Sequence, residues 1–279
     1  MLQNILCMHS NSKIIEYLSN VSKNRFKKYI HMKILVCISN VPDTTSKINF
    51  TDGNTKFDSN GVQFVINPND EFGLTRAMWF KEKQGATVHV ATVGGPTTEP
   101  TIRKALAIGA DEAIRVNAEP LDGYFVAEQL AAVVKNGAYD LVIAGRESID
   151  YNGGMVPGIL ATLLGMNFIN TCISLEIEGE TATAVREIDG GKEKLTTSLP
   201  LVIGGQKGLV AESDLRIPNM RGIMMARQKK LNVVEPVGTE ITTEDVAFDK
   251  PAPKGSIKLV AADNLDELIN LLHNEAKVI

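Results

Sequence analysis

Residues 139–164, YDLVIAGRESIDYNGGMVPGILATLL, hold the residue types best placed to do chemistry in this chain. An apolar run from Leu141 to Ala144 ends at Gly145. A polar loop with the pair Gly153-Gly154 follows, and an apolar helical stretch begins near Val156. Strand, glycine, loop and helix in that order suit an anion or nucleotide at the carboxyl edge of a parallel sheet, where loop amides and the first N–H groups of a helix point at negative charge. Gly94, Gly145, Gly153 and Gly154 permit close backbone approach, and Arg146 offers a cation for a phosphate. The competing expectation is that these glycines only shape tight turns, because the loop matches neither GxGxxG nor a Walker A motif.

Little else offers reactivity. The chain has no GxSxG elbow, no HExxH and no Cys–His pairing in a recognisable motif. His89, inside VHVATV, reads as a sheet residue rather than a base. Asp189 and Glu193 flank Gly190-Gly191 and read as turn formers. Cys7, Cys37 and Cys172 form no CxxC pair, which suits a reducing compartment and gives no thiol metal site. A net charge of −4 without a massed basic segment argues against nucleic acid as a partner. No apolar run reaches the length of a transmembrane helix, so membrane insertion is not expected.

The elements that must position the loop follow from hydrophobic periodicity. Strands are expected at Ile34–Ser39, Thr87–Val93, Ala113–Val116, Leu141–Ala144 and Leu201–Gly204, and helices at Asp70–Gln84, Thr98–Ile108, Leu121–Lys135 and Val156–Leu164. Thr98–Ile108 carries Pro100 in its first turn and Gly109 just past its end, as helix start and stop signals require. This alternation predicts a doubly wound, mostly parallel sheet covered on both faces. Ligands of such sheets sit where the strand order reverses. The loop Cys37–Pro42, the turn Gly94-Gly95-Pro96, the loop Gly145–Val156 and the turn at Asn67 would meet there. Residues 172–188 alternate apolar and polar around Gly179, which predicts an antiparallel hairpin appended to the α/β core, with a further strand at Glu193–Thr197.

Residues 235–255 read as an extended connector, and residues 263–279 as an amphipathic helix whose leucines need a surface. Residues 1–31 are Lys/Asn/Ser-rich and differ from the rest. They read as a disordered tail or a start codon assigned too early, ahead of an organellar transit peptide. The domain division expected is thus 1–31, an α/β domain over 32–230, and a connector with a helix over 231–279.

Several motifs together resemble the β (small) subunit of electron transfer flavoproteins. They are KILVCISNVPDT from Lys33, INPNDE at 66–71, ALAIGADEAIRV at 105–116, AGRESID at 144–150 and RIPNMRGIMMARQKK at 216–230. The most specific is AVREIDGGKEKLTTSLPLVI at 184–203, with Arg186, Asp189-Gly190-Gly191, Glu193, Leu195 and Pro200 at the family spacing. The resemblance implies an adenine-nucleotide-binding, Rossmann-like fold and an electron carrier without catalytic residues of its own. It implies a heterodimer with an α subunit, FAD shared with that subunit, and either AMP or a second FAD in the β site. Electrons would pass from acyl-CoA or related flavin dehydrogenases to a quinone reductase or another acceptor. A bacterial-type cytoplasmic setting is expected ahead of the mitochondrial matrix.

Carried onto this chain, the nucleotide residues are Cys37, Asn67, Pro68, Asn69, Asp70, Gly94, Gly145, Arg146, Glu147, Ser148, Ile149, Asp150, Tyr151, Asn152, Gly153, Gly154, Met155 and Val156. Val156, Pro42-Asp43-Thr44 and Asp70 match electron-bifurcating members and tilt toward a second FAD, whereas Gly153-Gly154 fits neither type. A recognition loop near 212–227 would present Met220 as the apolar anchor, with Arg216 and Arg221 on its rim. From the residues alone, Met220, Met224 and Met225 would instead pack inside. A stand-alone stress-protein-type nucleotide module shares the architecture but would lack the hairpin and the Asp189-Gly190-Gly191 signature. A ligase of the pyrophosphatase-loop type would need a Ser-Gly-Gly-x-Asp-Ser run, which does not follow the first strand.

Overall fold

Strand residues buried alternately on two faces set the architecture. A computed structural model of the chain describes residues 32–238, 241–253 and 255–279, so the expectation for residues 1–31 lies outside the described residues. The described chain divides into two units, residues 32–48 with 59–244, and residues 49–58 with 245–279. In chain order the elements are β1 (Lys33–Cys37), β2 (Asn40–Pro42), β3 (Phe50–Thr51), β4 (Lys56–Phe57), β5 (Phe64–Ile66), α1 (Pro68–Gln84), β6 (Thr87–Val93), α2 (Glu99–Ile108), β7 (Glu112–Val116), α3 (Gly123–Gly137) and β8 (Leu141–Gly145). Then come α4 (Val156–Leu164), β9 (Asn167–Glu178), β10 (Thr181–Ile188), β11 (Gly191–Ser198), β12 (Leu201–Gly205), α5 (Met220–Ala226), β13 (Leu231–Val234) and α6 (Leu265–Asn270).

The first unit holds a nine-stranded sheet ordered β11-β10-β9-β12-β8-β1-β6-β7-β13. All pairings from β9 across to β13 are parallel, and β10 is antiparallel to both β9 and β11. Ile34, Val36, Leu141, Ile143, Leu201 and Ile203 face one apolar layer with α1 and α2. Leu35, Cys37, Val142, Ala144 and Val202 face the other layer with α3 and α4. Period-two alternation buried on both faces requires this three-layer arrangement. The chain runs outward from β1 to β6 and β7, then crosses back to place β8 on the other side of β1. The strand order therefore reverses between β1 and β8.

The expected elements are present, with three differences. The hairpin is continuous with the main sheet, because β9 starts at Asn167, pairs parallel with β12, and then bends to pair antiparallel with β10. Thr171 at that bend has φ 50°. The edge strand β13 and the short pair β2–β5 were not anticipated, since each is held by partners distant in sequence. Within the second unit, α6 stops at Asn270 and continues only as a π turn, Leu271–Glu275. There Phe50 stacks on Phe248 with ring centroids 5.0 Å apart, and the Phe248 N–H donates to the Asn54 carbonyl at 2.7 Å.

Asp122 ties two segments of the first unit together. Its Oδ1 accepts the Phe125 N–H at 2.6 Å, capping α3, and its Oδ2 accepts the N–H groups of Thr242 and Thr243 at 2.8 and 3.0 Å. Five residues before Thr242, the Val237 N–H donates to Gln129 Oε1 at 2.7 Å. Partial desolvation pushes the Asp122 carboxyl up, but the donors from Phe125, Thr242 and Thr243 outweigh it and hold the acid below the usual carboxylate range. A carboxyl lowered in the folded state contributes stability above its unfolded value and loses it as pH falls through the folded one. Asp122→Asn is therefore expected to cost about 1 kcal/mol near neutrality, in line with lost helix caps. The difference in thermal midpoint from the parent should shrink as pH falls from 6 to 3. A difference independent of pH in that window would contradict this role.

Candidate functional site

The carboxyl ends of β1 and β8 stand side by side, and α1 begins beneath them. Asn67 precedes α1 at its N-terminus, with Pro68 in the first turn, where a missing N–H costs nothing. Asp70, in that first turn, is 2% exposed, and Asn67 is fully buried. Asp70 Oδ2 accepts the Ser39 N–H just past β1 at 2.7 Å, and Oδ1 accepts the Gly145 N–H at the end of β8, also at 2.7 Å. One carboxylate thus spans both lips of the reversal point. Asn67 supports the loop beyond. Its Nδ2 donates to the Glu147 carbonyl at 2.9 Å and its Oδ1 accepts the Ile149 N–H at 3.3 Å, while Asn69 Nδ2 reaches the same carbonyl at 3.3 Å.

The loop is folded on itself before α4 starts. The Ser148 N–H donates to the Gly153 carbonyl at 3.0 Å, closing a turn that carries Asp150, Tyr151 and Asn152 at its exposed tip. The first helical bond of α4 runs from the Ile159 N–H to the Met155 carbonyl at 3.1 Å. The amides of Met155, Val156 and Gly158 come before it and have no intrahelical acceptor, and Pro157 has no N–H to offer. The loop side of the crevice therefore presents the donor set that an anion needs.

Burial, the largest influence on Asp70, pushes its carboxyl up to about 7, against hydrogen bonds from Ser39, Asn67 and Gly145 that favour the ionised form. Cys37, at the end of β1, is buried, and desolvation together with the Asp70 charge pushes its thiol well above the ordinary range. It is an inert wall residue rather than a nucleophile. Gly94 follows β6 next door, its N–H bonded to the Val116 carbonyl at 3.0 Å.

Arg146, expected to offer a cation for a phosphate, is held by side chains of the protein. Its guanidinium donates to Glu147 Oε1 at 2.8 Å and to Gln206 Oε1 at 3.2 Å, and Gln206 in turn bonds Glu187 on β10. It lines a polar cleft of about 370 Å³ with Thr171, Glu187, Ile188, Asp189 and Gly191. Sequence reasoning did not single out Gln206 or Glu187. The only local signal was the glycine pair Gly204-Gly205 that ends β12 beside β8. His89 bonds the Tyr139 hydroxyl at 2.9 Å, and Glu193 pairs with Arg186 at 2.6 Å, so both have structural partners.

The Met220 segment lies at the opposite edge of the sheet. α5 rests on the C-terminal end of α2, where a Cβ on Gly222 would collide with the Ala107 carbonyl, and Arg103 holds the Ala226 carbonyl at 2.7 Å. Met220, Met224 and Met225 are 76%, 67% and 51% exposed, so they do not pack inside as the residues alone suggested. Arg216 pairs with Glu82 at 2.7 Å, and Arg221 is exposed beside the methionines.

Comparison with known proteins now applies to this geometry. Residues 55–237 match the electron transfer flavoprotein domain. The chain is 36% identical over 262 residues to the electron transfer flavoprotein subunit beta of Bacillus subtilis, covering 89% of this chain and all of that protein. The subunit beta of Syntrophomonas wolfei is 34% identical over 229 residues, covering 81% of this chain and 89% of that one. The mitochondrial subunit beta of Oryza sativa subsp. indica is 32% identical over 256 residues, with 89% and 100% covered. The chain belongs to the electron transfer flavoprotein family, among its beta subunits. Among the described residues of this beta subunit, no helix is long and apolar enough to cross a membrane.

Close packing at Gly145 gives a test of the frame. A Cβ there would collide with Asp70 Oδ1 and lie 2.9 Å from Asn67 Nδ2, whereas at Gly153 the nearest side-chain atom is Ser148 Oγ at 3.8 Å. Gly145→Ala is expected to cost about 1–3 kcal/mol in a denaturant melt, and Gly153→Ala less than about 1 kcal/mol. Equal costs for the two would show that the Asp70 crosslink does not constrain this point.

Proposed function

We propose that this beta subunit holds an adenosine phosphate in the crevice between β1 and β8 and, with a larger α subunit that contributes the FAD site, forms a heterodimeric electron carrier. The observation that carries the reading is the coincidence of the strand-order reversal with a glycine loop and helix start, the loop and helix lying inside the stretch covered by the family match. The amides from Asn152 to Gly158 are the proposed donors to phosphate. Asn67 and Asn69 hold the loop from below, and Cys37 and Gly94 form the wall. Arg146 contributes only if it exchanges Glu147 or Gln206 for a phosphate oxygen.

When bound, the flavin supplies the reversible electron chemistry, and this chain supplies position, electrostatics and exclusion of water. A carrier of this kind needs no base or nucleophile of its own. The bound group is AMP or the ADP half of a second FAD. The Asp of Asn67-Pro68-Asn69-Asp70 and Val156 favour the second FAD. Acyl-CoA or related flavin dehydrogenases are the proposed donors and a quinone reductase or similar protein the acceptor, in a bacterial-type cytoplasm. The exposed methionines of α5 suit an adaptable docking surface, with Met220 as its anchor and Arg216 and Arg221 at its rim. The connector and the C-terminal helix, with Leu265 and Ile269 exposed by 62% and 55%, are proposed to pack on the α subunit.

Two measurements test this. Denaturing the purified heterodimer should release either two FAD, or one FAD with one AMP, per heterodimer; release of a single FAD with no further adenine nucleotide would overturn the β site. Met220→Ala should slow electron transfer from dehydrogenases by about tenfold while leaving cofactor content unchanged, the scale of one lost apolar anchor. Unchanged transfer rates across several dehydrogenases would remove Met220 from the docking surface.

A further inference from the structure

An anion already sits between the two lips of the crevice, and it belongs to the protein. The N–H groups of Ser39 and Gly145, which a doubly wound sheet would normally aim at a ligand phosphate, are both spent on Asp70 at 2.7 Å. Asp70 is 2% exposed and stands in the first turn of α1, where the helix dipole favours negative charge. No Cβ fits at Gly145 without meeting that carboxylate, so the strand end is packed against it.

We propose that Asp70 is a positioning residue and not a nucleotide contact: its carboxylate crosslinks the ends of β1 and β8, sets the width of the crevice, and confines the nucleotide's phosphate to the loop amides ahead of α4. This rests on the nucleotide reading above and deepens it. A protonated carboxyl loses acceptor strength at the oxygen that carries the proton, so the crosslink needs the ionised form to hold both amides well. The groups that face Asp70 are few. From β1 comes the Cys37 thiol, from the loop just past it the Ser39 amide and hydroxyl, from β8 the Gly145 amide, and from the turn before α1 Asn67. Of the charged residues that follow on the loop, Arg146 and Glu147 neutralise each other at 2.8 Å, and Glu71 on α1 pairs with Lys104 of α2 at 3.0 Å. Burial pushes the Asp70 carboxyl up to about 7, so the crosslink weakens progressively as pH falls through that value.

The experiment uses the heterodimer stripped of nucleotide, with AMP and FAD as separate probes in equilibrium dialysis between pH 5.5 and 8.5. At pH 8, Asp70→Asn should weaken binding by about tenfold to a hundredfold, the scale of one lost charge-assisted hydrogen bond to a buried donor. As pH falls through about 7, parent affinity should approach that of the variant, whose own profile reports only the phosphate's titration. Equal affinities at pH 8, or parallel profiles, would overturn the positioning role while leaving the nucleotide site intact. A parent heterodimer that binds neither probe at any pH would overturn both. Should the variant fail to fold, the parent's Ser39 and Gly145 amide nitrogen shifts supply the test. Both should titrate with one shared midpoint that tracks the loss of affinity, and shifts that do not titrate would refute the assignment.

Discussion

A single buried carboxylate joins two backbone amides at the carboxyl edge of the sheet. In a parallel sheet, each strand end leaves an amide that the ladder does not use, and a buried amide without a partner is costly. At the point where the strand order reverses, two such ends meet with no third strand between them to bridge the gap. Asp70 bridges it, and Asn67, three residues earlier, fastens the loop that follows β8. The residues Asn67 to Asp70 form a bracket on the start of α1 that holds the loop at Gly145, Glu147 and Ile149.

The sheet separates two surfaces. At its carboxyl edge lies a crevice framed by Asp70, Asn67 and the start of α4. At its amino edge lies the methionine-bearing α5, fixed to α2 through Gly222 and Arg103. Each strand between them is packed on both faces, so a change in one surface has a rigid body to cross before it reaches the other. Under the proposed function such separation is useful, because docking to redox partners can vary without disturbing the crevice. The hairpin adds a third element. Through Glu187, Gln206 and Arg146 it reaches the root of the loop, which explains why Arg146 turns toward β10 and β12 rather than standing free.

The α/β architecture was legible because strands buried on both faces leave continuous apolar runs, and helices with Pro and Gly at their ends announce their limits. The reversal point followed from that order, and so did the loop. Roles that depend on which side chains meet across the fold were not legible. Arg146 stands beside a glycine loop, and no local pattern shows that Glu147 and Gln206 hold its guanidinium. Nor does any local pattern show that both oxygens of Asp70 accept backbone amides from two strand ends. β13 is short and takes its identity from pairing with β7, and β9 changes partners halfway along its length, a switch that no local pattern encodes. The exposed methionines of α5 read as core residues from composition alone, since only tertiary packing decides which side of a short helix faces the sheet.

The central claim is that an adenosine phosphate lies against the loop between Gly145 and α4. Amide hydrogen exchange of the heterodimer, with and without bound nucleotide, tests it most directly. The account predicts that nucleotide slows exchange at Asn152 to Gly158, while Ser39 and Gly145, already bonded to Asp70, stay protected in both states. Protection that appears elsewhere and leaves 152–158 unchanged would contradict it.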